Sequence, residues 1–90
     1  MLKRQVVINN ELGLHARAAA QLVRLAERFT SRLILKREDT GVTANAKSIL
    51  SVLHIAAGLG ISLTITAEGD DENAAINAVV ELFEKGFGEN

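Results

Sequence analysis

Residues 61–67 alternate without exception, with Ile61, Leu63, Ile65 and Ala67 on one side and Ser62, Thr64 and Thr66 on the other. A period of two is the mark of a strand with one dry and one wet face. Such a strand belongs in an antiparallel sheet, since parallel strands are buried on both faces and read as continuous apolar runs. The rest of the chain must therefore cover only one face of a sheet. Leu2 to Ile8 repeats the pattern more loosely, with Leu2, Val6 and Ile8 together, and stops at Asn9-Asn10. Arg32 to Lys36, built on Leu33, Ile34 and Leu35, and Val42 to Ala44 flank the turn Glu38-Asp39-Thr40-Gly41 and read as a hairpin.

Three segments have helical spacing. From Ala16 to Phe29, apolar residues recur at Ala19, Leu22, Val23, Ala26 and Phe29, opposite Arg17, Gln21, Arg24, Glu27 and Arg28. Ser48 is placed to cap a short helix through Ile49, Leu50, Val52, Leu53 and Ala56, closed by Gly58 and Gly60. Asp70 or Asp71 is placed to cap a last helix carrying Ile76, Val79, Val80 and Phe83, which stops at Gly86. The order βαββαβα predicts an α+β fold, an open-faced two-layer sandwich with helices on the apolar face of a mainly antiparallel sheet.

Ninety residues suffice for one domain, 1–90, with no linker, internal repeat or low-complexity stretch. There is no cysteine, which removes disulfides, thiolate metal sites and cysteine nucleophiles. Nothing approaches the roughly 20 apolar residues of a membrane span, and the first residues lack a signal-peptide core, so the expected compartment is the cytoplasm. Ten Lys+Arg balance eleven Asp+Glu, and Phe29, Phe83 and Phe87 are the only aromatic residues. That composition argues against a nucleic-acid partner.

Two histidines have different surroundings. His15 stands where a Gly13-containing loop meets the first helix. A helix start offers unpaired N–H groups and the positive end of the dipole. These favour a neutral, nucleophilic imidazole and would cradle an anion attached to it. Arg17 adds a guanidinium suited to phosphate oxygens. On spacing alone, an ordinary helix cap is the favoured reading of His15. His54 lies inside the short second helix and reads as structural or surface filler. Glu68, Asp70, Asp71 and Glu72 are explained by helix capping rather than by a cation site. Ser48 is a cap, at a point where the helix dipole would also accept a phosphate.

Gly13-Leu14-His15-Ala16-Arg17 resembles the active-centre motif of the HPr family, histidine phosphocarriers of the bacterial phosphoenolpyruvate-dependent phosphotransferase system. Asn45-Ala46-Lys47-Ser48-Ile49-Leu50 resembles that family's regulatory-serine segment. The resemblance implies a four-stranded antiparallel sheet backed by three helices. It implies that enzyme I, phosphorylated by phosphoenolpyruvate, passes its phosphoryl group to Nδ1 of His15, cradled by the backbone of Ala16, Arg17 and Ala18. His15 would then pass the group to a histidine of a IIA-type protein. The implied protein is a carrier rather than an enzyme, a monomer with no cofactor and no metal.

The same resemblance implies a docking surface of Ala20, Arg24, Ile49, Leu50 and Leu53, and admits a serine kinase/phosphorylase acting on Ser48. Ala18 stands where the family often has proline, as in several proteobacterial members and in the nitrogen-regulatory branch. Sugar uptake and nitrogen-branch regulation therefore both stay open. From another class, a ferredoxin-like ligand-sensing module shares the order βαββαβ and would differ in strand order.

Overall fold

The computed structural model, which describes residues 1–89, contains strands β1 (Leu2–Val7), β2 (Arg32–Arg37), β3 (Thr43–Asn45) and β4 (Ser62–Glu68). Between and after them lie helices α1 (Ala16–Ala26), α2 (Ile49–His54) and α3 (Glu72–Glu84), and a 3-10 turn at Gly86–Gly88. The strands pair in the order β1-β4-β2-β3, every pair antiparallel. β1 is thus an edge strand, which removes the ferredoxin-like alternative, whose first strand lies inside the sheet.

The alternation read from the sequence sets the register. Val6 faces Leu63, Leu35 faces Ile65 and Leu33 faces Ala67, all on the face that the helices cover. Gln5, Thr64, Lys36 and Thr43 form the corresponding row on the open face. Ile34 falls beside Thr66 on that open face, so only Leu33 and Leu35 of the expected trio enter the core. α1 inserts Ala18, Ala19, Leu22 and Ala26; α2 contributes Val52; α3 contributes Ala75, Ile76, Val79 and Phe83. The run of alanines on α1 lets the helix lie close to its neighbours, while Val23 and Phe29 stay half-buried at the rim.

Several helix ends differ from expectation. α1 stops at Ala26 rather than Phe29, where the N–H groups of Arg28 and Phe29 turn to carbonyls three residues back. Lys47 Nζ then takes the Phe29 carbonyl at 2.6 Å. α2 is not closed by glycine. Ala56 adopts the left-handed region at φ 52°, and Arg37 donates to the carbonyls of Ile55 and Ala56 at 3.2 and 3.1 Å. That guanidinium answers the carbonyl groups which a glycine cap would otherwise satisfy.

Asp71 occupies the cap position of α3, yet its side chain does not cap that helix. Its carboxylate instead receives the backbone N–H groups of Thr30 and Ser31, each at 2.9 Å, and the Ser31 hydroxyl. The helix start is served by Glu72, which accepts from Gly69 N–H at 3.1 Å and pairs with the N-terminal ammonium at 3.0 Å. Asp71 therefore ties the loop before β2 to the loop before α3, about forty residues apart in sequence.

These donors, the Ser31 hydroxyl foremost and then the Thr30 N–H, hold the Asp71 carboxyl down at about 2, against an ordinary 3.8. A lowered folded-state pKa means stability present above pH 4 and lost as pH falls from about 4 to 2. Acid unfolding followed by circular dichroism should show this loss in the wild type. Asp71→Asn should be less stable at neutral pH and should show a flatter dependence across the same window.

Candidate functional site

The loop from Asn9 to Leu14 delivers His15 to the start of α1, and Gly13 determines how. Gly13 sits at φ +65°, and a Cβ there would lie 2.6 Å from the Ala57 carbonyl oxygen and 2.7 Å from Gly58 Cα. Only glycine permits that conformation and that approach. The close contact lets Leu14 N–H donate to Ala57 O at 2.9 Å, which staples the loop to the segment following α2. Within the loop, Asn10 Nδ2 donates to Gly13 O at 2.9 Å and Gly13 N–H donates to Asn10 O at 3.1 Å. Asn10 is completely buried.

His15 is the N-cap of α1, with extended backbone (φ −74°, ψ 177°) and its carbonyl accepting from Ala19 N–H at 2.8 Å. Its ring caps the helix too, because Nδ1 accepts from Arg17 N–H at 3.3 Å. A ring nitrogen that accepts carries its lone pair, so the proton of the neutral ring is on Nε2. Nε2 faces Oε2 of Glu89, from the far end of the chain. The side chain is 24% exposed, enough for one edge to meet a partner. The cap reading and the nucleophile reading of His15 hold together: the lone pair that caps the helix is the one available to an electrophile.

Ala16, Arg17 and Ala18 form the first turn, as expected; Ala18 has its side chain fully buried, while Ala16 and Arg17 are exposed. Arg17 lines a cavity of about 440 Å³ with Glu11, Leu12, Gln21, Phe87 and Glu89, the last of which also contacts the His15 ring. α2 packs against α1. Ile49 and Leu50 are exposed, Leu50 at 77%, while Leu53 and Ala20 are half-buried and Arg24 is exposed. These five residues lie on two helices that pack against each other, and Leu12, 68% exposed, lines the same cavity as Arg17.

Ser48 caps α2, its hydroxyl accepting from Ser51 N–H at 3.3 Å. The six residues of α2 rise about 9 Å, so Ser48 stands at the end of that helix away from the His15 loop. The neighbouring motif residues are structurally engaged. Asn45 Oδ1 accepts from Lys47 N–H at 2.9 Å, and Ser51 Oγ accepts from Asn45 N–H at 2.9 Å. His54 is exposed in the last turn of α2, which selects the surface reading over the structural one.

Glu89 and Asn10 were not legible as site residues. Asn10 Nδ2 donates to Glu89 Oε1 at 3.0 Å, completing a chain from the loop through the carboxylate to the ring. The carboxyl of Glu89 lies below its ordinary range because of the Asn10 hydrogen bond first and the His15 bond second. The one local hint is Gly86-Phe87-Gly88, an aromatic residue between two glycines in a polar tail. Among the described residues, no group of three or more His, Asp or Glu could hold a metal, and no helix is long and apolar enough to cross a membrane.

Residues 2–85 match the family profile described as "PTS HPr component phosphorylation site". The chain belongs to the HPr family. It is 44% identical over 89 residues to the phosphocarrier protein HPr of Cupriavidus necator, covering 99% of this chain and 98% of that one. It is also 41% identical over 87 residues to the phosphocarrier protein NPr of Proteus mirabilis, covering 97% and 96%. The crystal structure of an HPr from Thermoanaerobacter tengcongensis superposes with a TM-score of 0.92 at 39% identity, covering 100% of this chain and 99% of that one. HPr proteins are carriers in a phosphoryl relay and not enzymes that turn over a substrate.

Gly13→Ala tests the staple. The residue would be strained in the left-handed region, and its Cβ would collide with backbone rather than with a flexible side chain. A loss of about 2–4 kcal/mol is expected, seen as a fall in melting temperature of roughly 10 °C or more for a domain of this size.

Proposed function

We propose that His15 of this HPr-family chain accepts a phosphoryl group on Nδ1 from phosphorylated enzyme I and passes it to a histidine of a IIA-type protein in the cytoplasm. The observation that supports this best is the partly exposed imidazole whose Nδ1 lone pair points at the first-turn N–H of α1. When Nδ1 attacks, its lone pair forms the new N–P bond and the donor's N–P bond breaks, its electron pair remaining on the donor nitrogen. The phosphoryl oxygens then meet the N–H groups of Ala16, Arg17 and Ala18, at the positive end of the helix, with the Arg17 guanidinium alongside. Nothing in the step requires a metal or a cofactor.

Arg24, Ile49, Leu50 and Leu53, with Ala20, form the docking face. It combines exposed apolar area with positive charge, which suits an acidic, partly apolar partner approached by a single chain. Sugar-uptake and nitrogen-branch roles both stay open, because relatives named HPr and NPr match at similar identity. Transfer to a sugar-permease IIA protein and to a nitrogen-branch IIA protein, measured side by side, separates the two.

His15→Ala should abolish acid-labile, base-stable labelling by enzyme I and phosphoenolpyruvate while costing only about 0.5–2 kcal/mol of stability; His54→Ala should label normally. Label retained on the His15→Ala protein would remove His15 from the relay. Arg17→Ala should slow acceptance by roughly tenfold or more, and Arg17→Lys should recover part of the rate, since the planar fork is lost.

Ser48 serves as a regulatory phosphorylation site for a kinase/phosphorylase. A phosphate there adds roughly −1.5 to −2 charges next to Ile49 and Leu50, where it opposes docking on an acidic partner while the helix dipole tolerates it. Ser48→Asp should therefore weaken acceptance from enzyme I and melt no earlier than wild type. Ser48→Ala should accept normally and melt earlier, having lost its cap. Transfer rate and melting temperature measured on the same samples check both statements.

A further inference from the structure

The chain's tail is built to reach the reacting ring. After α3, Gly86, Phe87 and Gly88 all take positive φ (59°, 57° and 75°), which turns the backbone back across the molecule. Phe87 is buried and meets Phe83 edge to face, with ring centroids 5.0 Å apart. A non-glycine residue in the left-handed region is unfavourable by itself, so the packing of Phe87 must hold it there. Two residues later, Glu89 bridges the buried Asn10 amide, at 3.0 Å, and His15 Nε2. The carboxylate is thus held from one side by a rigid loop and from the other by an aromatic anchor.

We propose that Glu89 is a positioning residue for phosphoryl acceptance: its carboxylate holds the Nε2–H of His15 and balances the positive charge that the ring acquires when Nδ1 takes the phosphoryl group. The inference rests on the carrier reading of His15. Before transfer the ring is neutral, with its proton on Nε2 and its lone pair on Nδ1. The Nδ1 pair forms the bond to phosphorus, while the donor, a ring-protonated phosphohistidine, leaves as neutral imidazole with the pair of the broken bond. His15 is then an N-phosphorylated imidazolium that still carries its Nε2 proton. The positive charge has moved from the donor ring to His15, and Glu89 meets it through that proton.

An interaction that strengthens as charge develops favours the transition state and product over the resting ring. It also reserves Nε2 for the hydrogen bond and leaves Nδ1 as the nucleophile. The repulsion between the carboxylate and the incoming phosphoryl oxygens is limited because they meet the ring at different nitrogens, with Arg17 lining the same cavity as Glu89.

The test compares wild type, Glu89→Ala and Glu89→Gln in the intact chain. Glu89→Gln keeps a hydrogen-bond acceptor and removes the charge. Two readouts are needed: the His15 Nε2–H signal by nitrogen-resolved NMR of the unphosphorylated protein, and the rate and equilibrium of phosphoryl acceptance from enzyme I charged with labelled phosphoenolpyruvate. The expected result is a slowly exchanging Nε2–H in wild type and Glu89→Gln that is lost in Glu89→Ala. Both variants should accept about tenfold more slowly and lie further toward the donor at equilibrium, on the scale of one charge-assisted hydrogen bond.

Melting temperatures close to wild type would show that Phe87 still anchors the tail. Acceptance unchanged in both variants, or an Nε2–H signal indifferent to Glu89→Ala, would overturn the role of Glu89 while leaving the carrier reading intact. A wild-type protein that forms no phosphohistidine at all would instead sink the carrier reading, with the NMR comparison still reporting the Glu89–His15 bond.

Discussion

The placement of the His15 ring depends on one close backbone contact, Gly13 against Ala57 and Gly58. It is the point at which the loop before α1 and the segment after α2 come so close that no Cβ fits between them. From it follow the Leu14–Ala57 hydrogen bond, the direction in which the chain enters α1, and the end-on view of the imidazole toward the first turn. The loop has little freedom around this contact, because Asn10 fills its interior and bonds its own backbone. A partly exposed imidazole is therefore presented by a segment anchored almost like core.

The two nitrogens of His15 are differentiated by what surrounds them. Nδ1 looks along a helix axis at a backbone N–H, and Nε2 looks at a carboxylate. An anion on Nδ1 meets the positive end of a dipole, and a positive charge on the ring meets Glu89. One nitrogen of the ring is thus an acceptor facing a helix start and the other a donor facing a carboxylate. Leu12, Ile49 and Leu50 expose apolar side chains that take no part in this electrostatic arrangement.

The serine segment shows how one stretch of sequence answers two demands. Asn45, Lys47, Ser48 and Ser51 form a local set of hydrogen bonds that starts α2, and Lys47 also satisfies the carbonyl of Phe29 past the end of α1. These contacts explain the residue types without any modification. The exposure of Ile49 and Leu50 immediately afterwards has no such structural explanation, which is why they belong to the proposed docking face.

By itself the sequence determined those features whose physics is local. The strict alternation of residues 61–67 specified a one-sided strand, the helical spacings specified which faces turn inward, and Gly13-Leu14-His15-Ala16-Arg17 placed an imidazole at a helix start. Helix ends were less legible, because the groups that close them come from elsewhere: Arg37 closes α2, Lys47 follows α1, and Asp71 serves Thr30 and Ser31 rather than its own helix. The tertiary structure alone decided that β1 lies at the edge beside β4, a choice that backbone pairing leaves degenerate until the helices are packed. It alone brought Glu89 to His15 across 74 residues, since no periodicity or spacing encodes a contact made by a tail folding back over a hydrophobic anchor.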